Sequence, residues 1–138
     1  LERQNNRESK IMQFAADTLL QEKIRQAIIG GHVSVYKVLS DDSLASTDYN
    51  VVGKDGTSYD FEQKVLYNDK DATIYEYTIY VDGYEVANTI ISDKEKTVAQ
   101  PALCILKLFQ ACSTKLIYQE MQNTVHNIKT PNKFKILN

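Results

Sequence analysis

Residues 74–91 have the sequence IYEYTIYVDGYEVANTII, in which two runs of β-branched and aromatic residues are joined by Asp82-Gly83. An Asp-Gly pair favours the two-residue turn of a β-hairpin, because both turn positions take a positive φ angle. The turn then predicts three pairs of opposite residues: Val81 with Tyr84, Ile79 with Val86, and Tyr75 with Ile90. One face of this hairpin is nearly all apolar. The other face is polar and carries Glu76, Thr78, Tyr80, Glu85 and Thr89.

A second hairpin precedes the first. Gly53-Lys54-Asp55-Gly56 separates residues 49–52 from residues 59–67, and its Asp-Gly pair again favours a tight turn. The second arm alternates in polarity, which predicts that four residues share its buried face: Tyr59, Phe61, Val65 and Tyr67. Residues 32–39 predict a further strand, and residues 40–48 predict a loop or a short helical turn.

Apolar residues recur at intervals of three and four over residues 8–29, which predicts one helix, with Ser9 as its cap and Gly30-Gly31 at its end. A second helix is predicted to reach about residue 123, and Pro101 either starts or bends it. We therefore expect an α+β fold with an N-terminal helix, an antiparallel meander of four to five strands and a long C-terminal helix packed on one sheet face. Residues 1–123 form one domain in this prediction, and residues 124–138 form a polar, basic and mobile tail.

The charge of the 138-residue chain is −2, but it is unevenly distributed. Residues 41–85 carry eleven acidic and three basic side chains, whereas residues 86–138 carry three acidic and seven basic ones. An acidic segment repels phosphate groups, so residues 41–85 disfavour a nucleic-acid partner. The longest apolar runs are far shorter than a membrane span, which predicts no membrane partner.

The sequence contains no recognisable catalytic, metal-binding or phosphate-binding motif, so we expect neither an enzyme nor a bound cofactor. Cys104 and Cys112 are too far apart along one helix to form a disulfide bond. Free cysteines favour a reducing compartment, which predicts an intracellular protein, either cytoplasmic or nuclear.

Residues 59–106 resemble the second half of a double-stranded-RNA-binding domain, in which a strand pair leads into the last helix. The resemblance rests on residues 75–83, Val86, residues 92–97, Ala102 and Ile105-Leu106. The family's basic cluster would fall on Lys94, Glu95 and Val98, of which only Lys94 is basic. The resemblance therefore implies a degenerate member that binds proteins or dimerises. Residues 49–61 and the leading helix are also similar to units that end coiled coils in kinetochore-type assembly proteins.

These observations favour a non-enzymatic interaction or assembly module, homodimeric, that binds a protein partner or a second copy. The predicted contacts lie on an apolar helix face or on an exposed sheet face: Leu19, Ile24, Ile28 and Tyr80. Whether residues 8–29 pack on the sheet or form an intermolecular interface stays open. The alternative is binding of double-stranded RNA through basic residues: Lys94, Lys96, Lys107 and Lys115. A third hypothesis is a small-molecule pocket with His32, Asp60 or Glu62 at its mouth.

Overall fold

The structure, a computed structural model, describes residues 2–39 and 45–129, and side chains within residues 9–37 and 45–124. It confirms the predicted α+β fold, in which helices precede and follow the strands of one antiparallel sheet in the chain. The elements in chain order are α1 (Glu2–Ala16), α2 (Thr18–Gly30), β1 (His32–Leu39), β2 (Ala45–Val52), β3 (Ser58–Asn68), β4 (Thr73–Val81), β5 (Tyr84–Ser92) and α3 (Gln100–Lys129).

The strands form a meander in which each pairs with the next, in the order β1-β2-β3-β4-β5. Both predicted hairpin turns are confirmed. Asp82 and Gly83 have φ angles of 48° and 87°, and Gly56 has a φ angle of 84°. Glycine adopts such angles without the steric cost that a Cβ atom brings, which is why these turns can be tight. Asp82 also joins the two hairpins, because its carboxylate accepts a hydrogen bond from the backbone N–H of Ser58.

The register of the β4–β5 hairpin differs from the prediction. Val81 lies opposite Tyr84 as expected, but a β-bulge at Val86 places Ala87 opposite Ile79, and Ile91 opposite Tyr75. The two predicted pairs beyond the turn are therefore wrong by one residue. Because one extra residue moves every following side chain to the other face, Thr89 lies on the buried face and Ile90 on the open one.

Two further strand predictions are wrong. A second irregularity lies between Val65 and Tyr67 of β3, so Tyr67 leaves the buried face and is exposed. Strand β2 begins at Ala45 and pairs with β1 and β3, so residues 45–48 are strand and not loop. The rest of the predicted loop, residues 40–44, lies outside the described residues.

The N-terminal segment forms two helices where the apolar spacing predicts one. The chain leaves the helical conformation at Asp17, whose carboxylate accepts a hydrogen bond from the backbone N–H of Leu20 and so caps α2. The side-chain amide of Gln21 donates to the carbonyl oxygens of Phe14 and Ala15 at the end of α1. These bonds satisfy backbone groups at the break. Ser9 lies inside α1 and is not its cap.

Helix α3 begins at Gln100, which places Pro101 in its first turn. Proline is tolerated there because the first N–H groups of a helix have no partner within the helix. The alternative left open by the sequence is thus settled, since Pro101 starts the helix. The helix continues to Lys129, so the predicted boundary at residue 123 falls inside it. Residues 130–138 of the predicted tail lie outside the described residues.

All three helices contribute to one core on the inner face of the sheet, the face that they cover. Phe109 of α3 is central to this core, because its ring makes edge-to-face contacts with three sheet residues: Tyr49, Phe61 and Tyr77. Phe14 of α1 and Ile24 of α2 pack in the same cluster. Ala87 is fully buried where α1 lies along β5, and its small side chain allows the close approach of that helix. The opposite face of the sheet is left open by α1, α2 and α3.

Candidate interaction surfaces

The open face of the sheet, called the outer face below, presents charged side chains across four strands. Strand alternation and register place on it five carboxylates, Asp48, Asp60, Glu62, Glu76 and Glu85, and one ammonium group, Lys64. Five of the eleven acidic residues of the acidic segment therefore point to one side of the sheet. In its described part, the outer face has a strong excess of negative charge.

The carboxylates of the outer face repel one another. Asp48 lies directly opposite Glu62 in the β2–β3 pair, a placement that destabilises a sheet. Partial burial raises the pKa of Asp48, and the neighbouring charges of Glu62 and Asp60 raise it further. The Nζ atom of Lys64 lies 3.4 Å from Glu62 Oε1, and the Glu62 charge raises the pKa of this lysine. One lysine does not neutralise the row.

Tyr80 lies in the middle of the outer face, between Asp60 on β3 and Glu85 on β5. Partial burial raises the pKa of its hydroxyl, and the charges of Glu62 and Glu85 add to the effect. Glu85 is paired with a lysine outside the sheet, because Lys10 of α1 donates to Glu85 Oε2 at 2.7 Å. Tyr80 therefore presents a protonated phenol, a hydrogen-bond donor, amid carboxylates at neutral pH.

A buried amide lies beside these carboxylates. Asn88 of β5 is opposite Thr78 and 2% exposed, and its Nδ2 atom donates to Glu76 Oε2 and Thr78 Oγ1. Its Oδ1 atom has no hydrogen-bond partner in the described part of the chain. A buried acceptor left without a donor costs about 1–3 kcal/mol. The side chains of the outer face therefore leave one acceptor unsatisfied.

A second surface lies between α2 and α3. It is an open groove of about 510 Å³ whose floor is mainly apolar, with Ile28 and Ile29 on the α2 side and Ala111 on the α3 side. Two lysines, Lys107 and Lys115, also line it. Lys115 donates to the Ile29 carbonyl oxygen at 2.6 Å, which satisfies a free carbonyl group at the end of α2.

The groove continues into an exposed part of α3. The buried residues of this helix end at Cys112, yet the helix extends to Lys129. Beyond the core, Ile117, Tyr118 and Met121 are 57%, 58% and 62% exposed. Positions 111, 114, 118 and 121 repeat at alternating intervals of three and four, and the sequence continues this spacing with Val125 and Ile128. We call the row at positions 111, 114, 118, 121, 125 and 128 the α3 stripe.

The four predicted partner contacts lie in three different environments. Ile24 and Ile28 are 0% and 3% exposed and belong to the core, and Ile28 also borders the α2–α3 groove. Both are buried because α2 uses its apolar face to cover the sheet. Leu19 is 67% exposed and lies at a separate groove, beside the β2–β3 turn. Tyr80 lies on the outer face. The structure does not bring these residues together.

The basic residues predicted to bind RNA are also separated. Lys94 and Lys96 are exposed in the connection between β5 and α3, whereas Lys107 and Lys115 lie on α3 at the groove. His32, Asp60 and Glu62 do not share a pocket mouth either. His32 borders a depression beside α3, and the two acids lie on the outer face.

No group of three metal-binding side chains comes together within the described ranges. Cys104 and Cys112 are free thiols, as predicted, and burial raises the pKa of Cys112 to about 12. The Cys112 thiol is therefore protonated at neutral pH and is a weak nucleophile. Among the described helices, none is both long and apolar enough to cross a membrane.

Neither the outer face nor the α3 stripe can be recognised from single residues of the sequence. The outer face could have been found in part from Asp60 and Glu62, which alternate with the apolar residues Tyr59 and Phe61. The α3 stripe is visible as a heptad spacing, but the sequence does not show that the buried residues of α3 end at Cys112 and leave Tyr118 and Met121 exposed. Comparisons of the chain with known protein families, with curated proteins and with solved structures find no match.

Proposed function

We propose that this protein is a non-enzymatic interaction module that forms a homodimer through the α3 stripe. The observation that carries the proposal is the exposure of Tyr118 and Met121 on a helix that extends beyond its own core. The residues after Leu116 extend the helix by about 20 Å at 1.5 Å per residue. Ile117, Tyr118 and Met121 are exposed on this extension, and a partner that removes their apolar surface from water stabilises the assembly.

A second copy of the chain is the occupant that matches the stripe. Apolar residues at alternating intervals of three and four form the seam along which two α-helices pack as a coiled coil. Two identical stripes satisfy this requirement together, because each supplies the side chains that fill the spaces of the other. The stripe spans about two and a half heptads, which is short for an independent coiled coil.

The α2–α3 groove adds to the contact area. Ile29 is 59% exposed at its edge, and Ala111 and Thr114 of the stripe line it. A partner helix that packs on Tyr118 therefore meets apolar surface on α2 as well. A small interface of this kind is expected to have micromolar affinity, and its apolar character makes it insensitive to salt.

The test is light scattering coupled to size exclusion, over about 5 to 500 µM protein, the range in which a micromolar dimer dissociates. The test variant is Met121→Glu, which places a charge in the stripe. The control is Asn123→Glu, which places the same charge on the other side of the same exposed segment. We expect a dimer for the wild type and the control at high concentration, and a monomer for Met121→Glu.

Two results would overturn the proposal. One is a wild-type monomer at every concentration. The other is a dimer that Met121→Glu leaves unchanged, which would place the interface elsewhere. Far-ultraviolet circular dichroism of both variants checks that α3 is retained. We expect it to be retained, because residue 121 lies beyond the buried part of the helix.

A further inference from the structure

The outer face is a charged surface that the proposed dimer does not use. It lies on the opposite side of the sheet from α3, so pairing through the α3 stripe leaves it accessible. Its five carboxylates are distributed over β2, β3, β4 and β5. Neighbouring strands are about 4.8 Å apart, so these charges extend over roughly 15 Å. A single metal ion cannot contact charges over such a distance.

The face also contains groups that recognise more than charge. Tyr36 of β1 and Ile90 of β5 are 58% and 44% exposed at its two sides, and Tyr80 lies between them. An arginine side chain combines both requirements, because its guanidinium pairs with carboxylates and stacks on aromatic rings. The acidic and aromatic residues therefore favour arginine over a simple ammonium ion.

The unsatisfied amide of Asn88 is a second and independent indication of a ligand. Its Oδ1 atom is an acceptor without a partner among the described residues, whereas its Nδ2 group already donates to Glu76 and Thr78. Asn88 lies on the outer face, opposite Thr78, and α1, α2 and α3 leave this face open. A bound N–H donor that reaches this oxygen would satisfy it and remove the cost of its burial.

We propose that the outer face binds an arginine-rich segment of another protein, with Asp48, Asp60, Glu62 and Glu76 as its charged contacts. The partner neutralises the repulsion between Asp48 and Glu62 and lies across strands β2 to β5. Charge complementarity of this kind increases the rate of association and makes binding sensitive to salt. This inference does not depend on the α3 stripe, because the variant Met121→Glu, which is designed to be monomeric, retains the outer face.

The experiment uses the full chain and a fluorescein-labelled peptide of about ten residues, alternating arginine and serine, which is long enough to cross the face in an extended conformation. Fluorescence anisotropy measures binding at about 50 mM NaCl, where charge interactions are screened weakly, and at about 500 mM NaCl, where they are screened strongly. The test variant is Asp48→Asn with Glu62→Gln. The control variant is Glu22→Gln with Glu120→Gln, which changes the net charge equally on exposed residues of α2 and α3.

We expect the peptide to bind at low salt and to be released at high salt. Affinity falls about tenfold in the outer-face variant and less than twofold in the control. A matched peptide with lysine in place of arginine binds several-fold more weakly, because ammonium groups do not stack on Tyr36 or Tyr80 as a guanidinium does. Both double variants are expected to fold, since the outer-face changes remove a repulsion.

Three results would overturn the inference. Absence of peptide binding at low salt contradicts it directly. An equal loss in both double variants shows that the peptide follows net charge and not this face. Equal affinity for the polyamine spermine, measured by competition, shows that the face takes small cations without recognising a polypeptide. Repeating the titration with Met121→Glu separates this outcome from the state of the dimer.

Discussion

The two faces of the sheet come from the same strands, yet they follow opposite physical rules. On the inner face, Phe61 and Ile79 are fully buried and Phe109 packs against the aromatic rings around it. On the outer face, Asp48 and Glu62 are placed directly opposite each other with one lysine nearby. Packing on the inner face stabilises the folded state, whereas charge repulsion on the outer face destabilises it. A surface that reduces stability in the isolated protein is expected where its charge has another use, such as the binding of a cationic partner.

The largest effect is expected from removing an aromatic ring of the inner face. Phe61→Ala leaves a cavity against Phe109, so it should lower the free energy of unfolding by about 3–5 kcal/mol. Tyr36→Ala removes a ring that is 58% exposed and should cost at most about 1 kcal/mol. Urea unfolding followed by circular dichroism measures both. Similar losses would mean that the inner face is not the core, and would invalidate the comparison.

A second prediction tests which face residues 87–91 occupy. Ala87→Leu adds volume where β5 meets α1 and should cost about 1–3 kcal/mol. Ile90→Thr changes a side chain that is 44% exposed on the outer face and should change stability by less than about 0.5 kcal/mol. Without the bulge, Ala87 would face outward and Ile90 inward, and the two effects would exchange places. Thermal and urea unfolding of this pair therefore tests the register that the structure shows.

The outcome for β5 shows what the sequence predicts and where it fails. Alternation and the Asp82-Gly83 turn predict the hairpin, because both depend on residues close in the chain. The bulge at Val86 places Ala87 on the buried face, where α1 from the start of the chain packs beside β5. The spacing of apolar and polar residues within β4 and β5 carries no information about a contact with a helix so far away in the sequence. The spacing therefore predicts the hairpin but not its register.

The helices show the same division. The glycines at 30 and 31 mark the end of α2 and the proline at 101 marks the start of α3, and both helix ends are predicted correctly. Asp17 interrupts the first helix through its own cap and through Gln21, but the apolar spacing continues across the break. Ile24 and Ile28 were predicted to contact a partner because an apolar face does not reveal what covers it. The acidic segment of the sequence, by contrast, did indicate the charge that the outer face carries.

The smallest effect concerns the outer face itself and depends on pH. Burial and the charges of Glu62 and Asp60 raise the pKa of Asp48 above its usual value, so the native state binds this proton more tightly than the unfolded chain does. Stability is therefore lost as the pH rises from the usual aspartate pKa of about 3.9 through the raised value. Asp48→Asn removes this loss and should stabilise the protein at pH 7 by about 0.2–1 kcal/mol, with no difference below about pH 3.5.

Asp69 provides the control of opposite sign. Hydrogen bonds from the Tyr67 hydroxyl and from the backbone N–H groups of Ala72 and Asp71 lower the pKa of Asp69. Its contribution to stability is present above the usual aspartate pKa and is lost as the pH falls through the lowered value. Asp69→Asn should therefore destabilise the protein at pH 7, where Asp48→Asn stabilises it. Thermal unfolding between pH 3 and pH 7 measures both effects. If Asp48→Asn destabilises the protein at pH 7, as Asp69→Asn does, the carboxylates of the outer face are not under electrostatic strain. The reason to expect a cationic partner there is then removed.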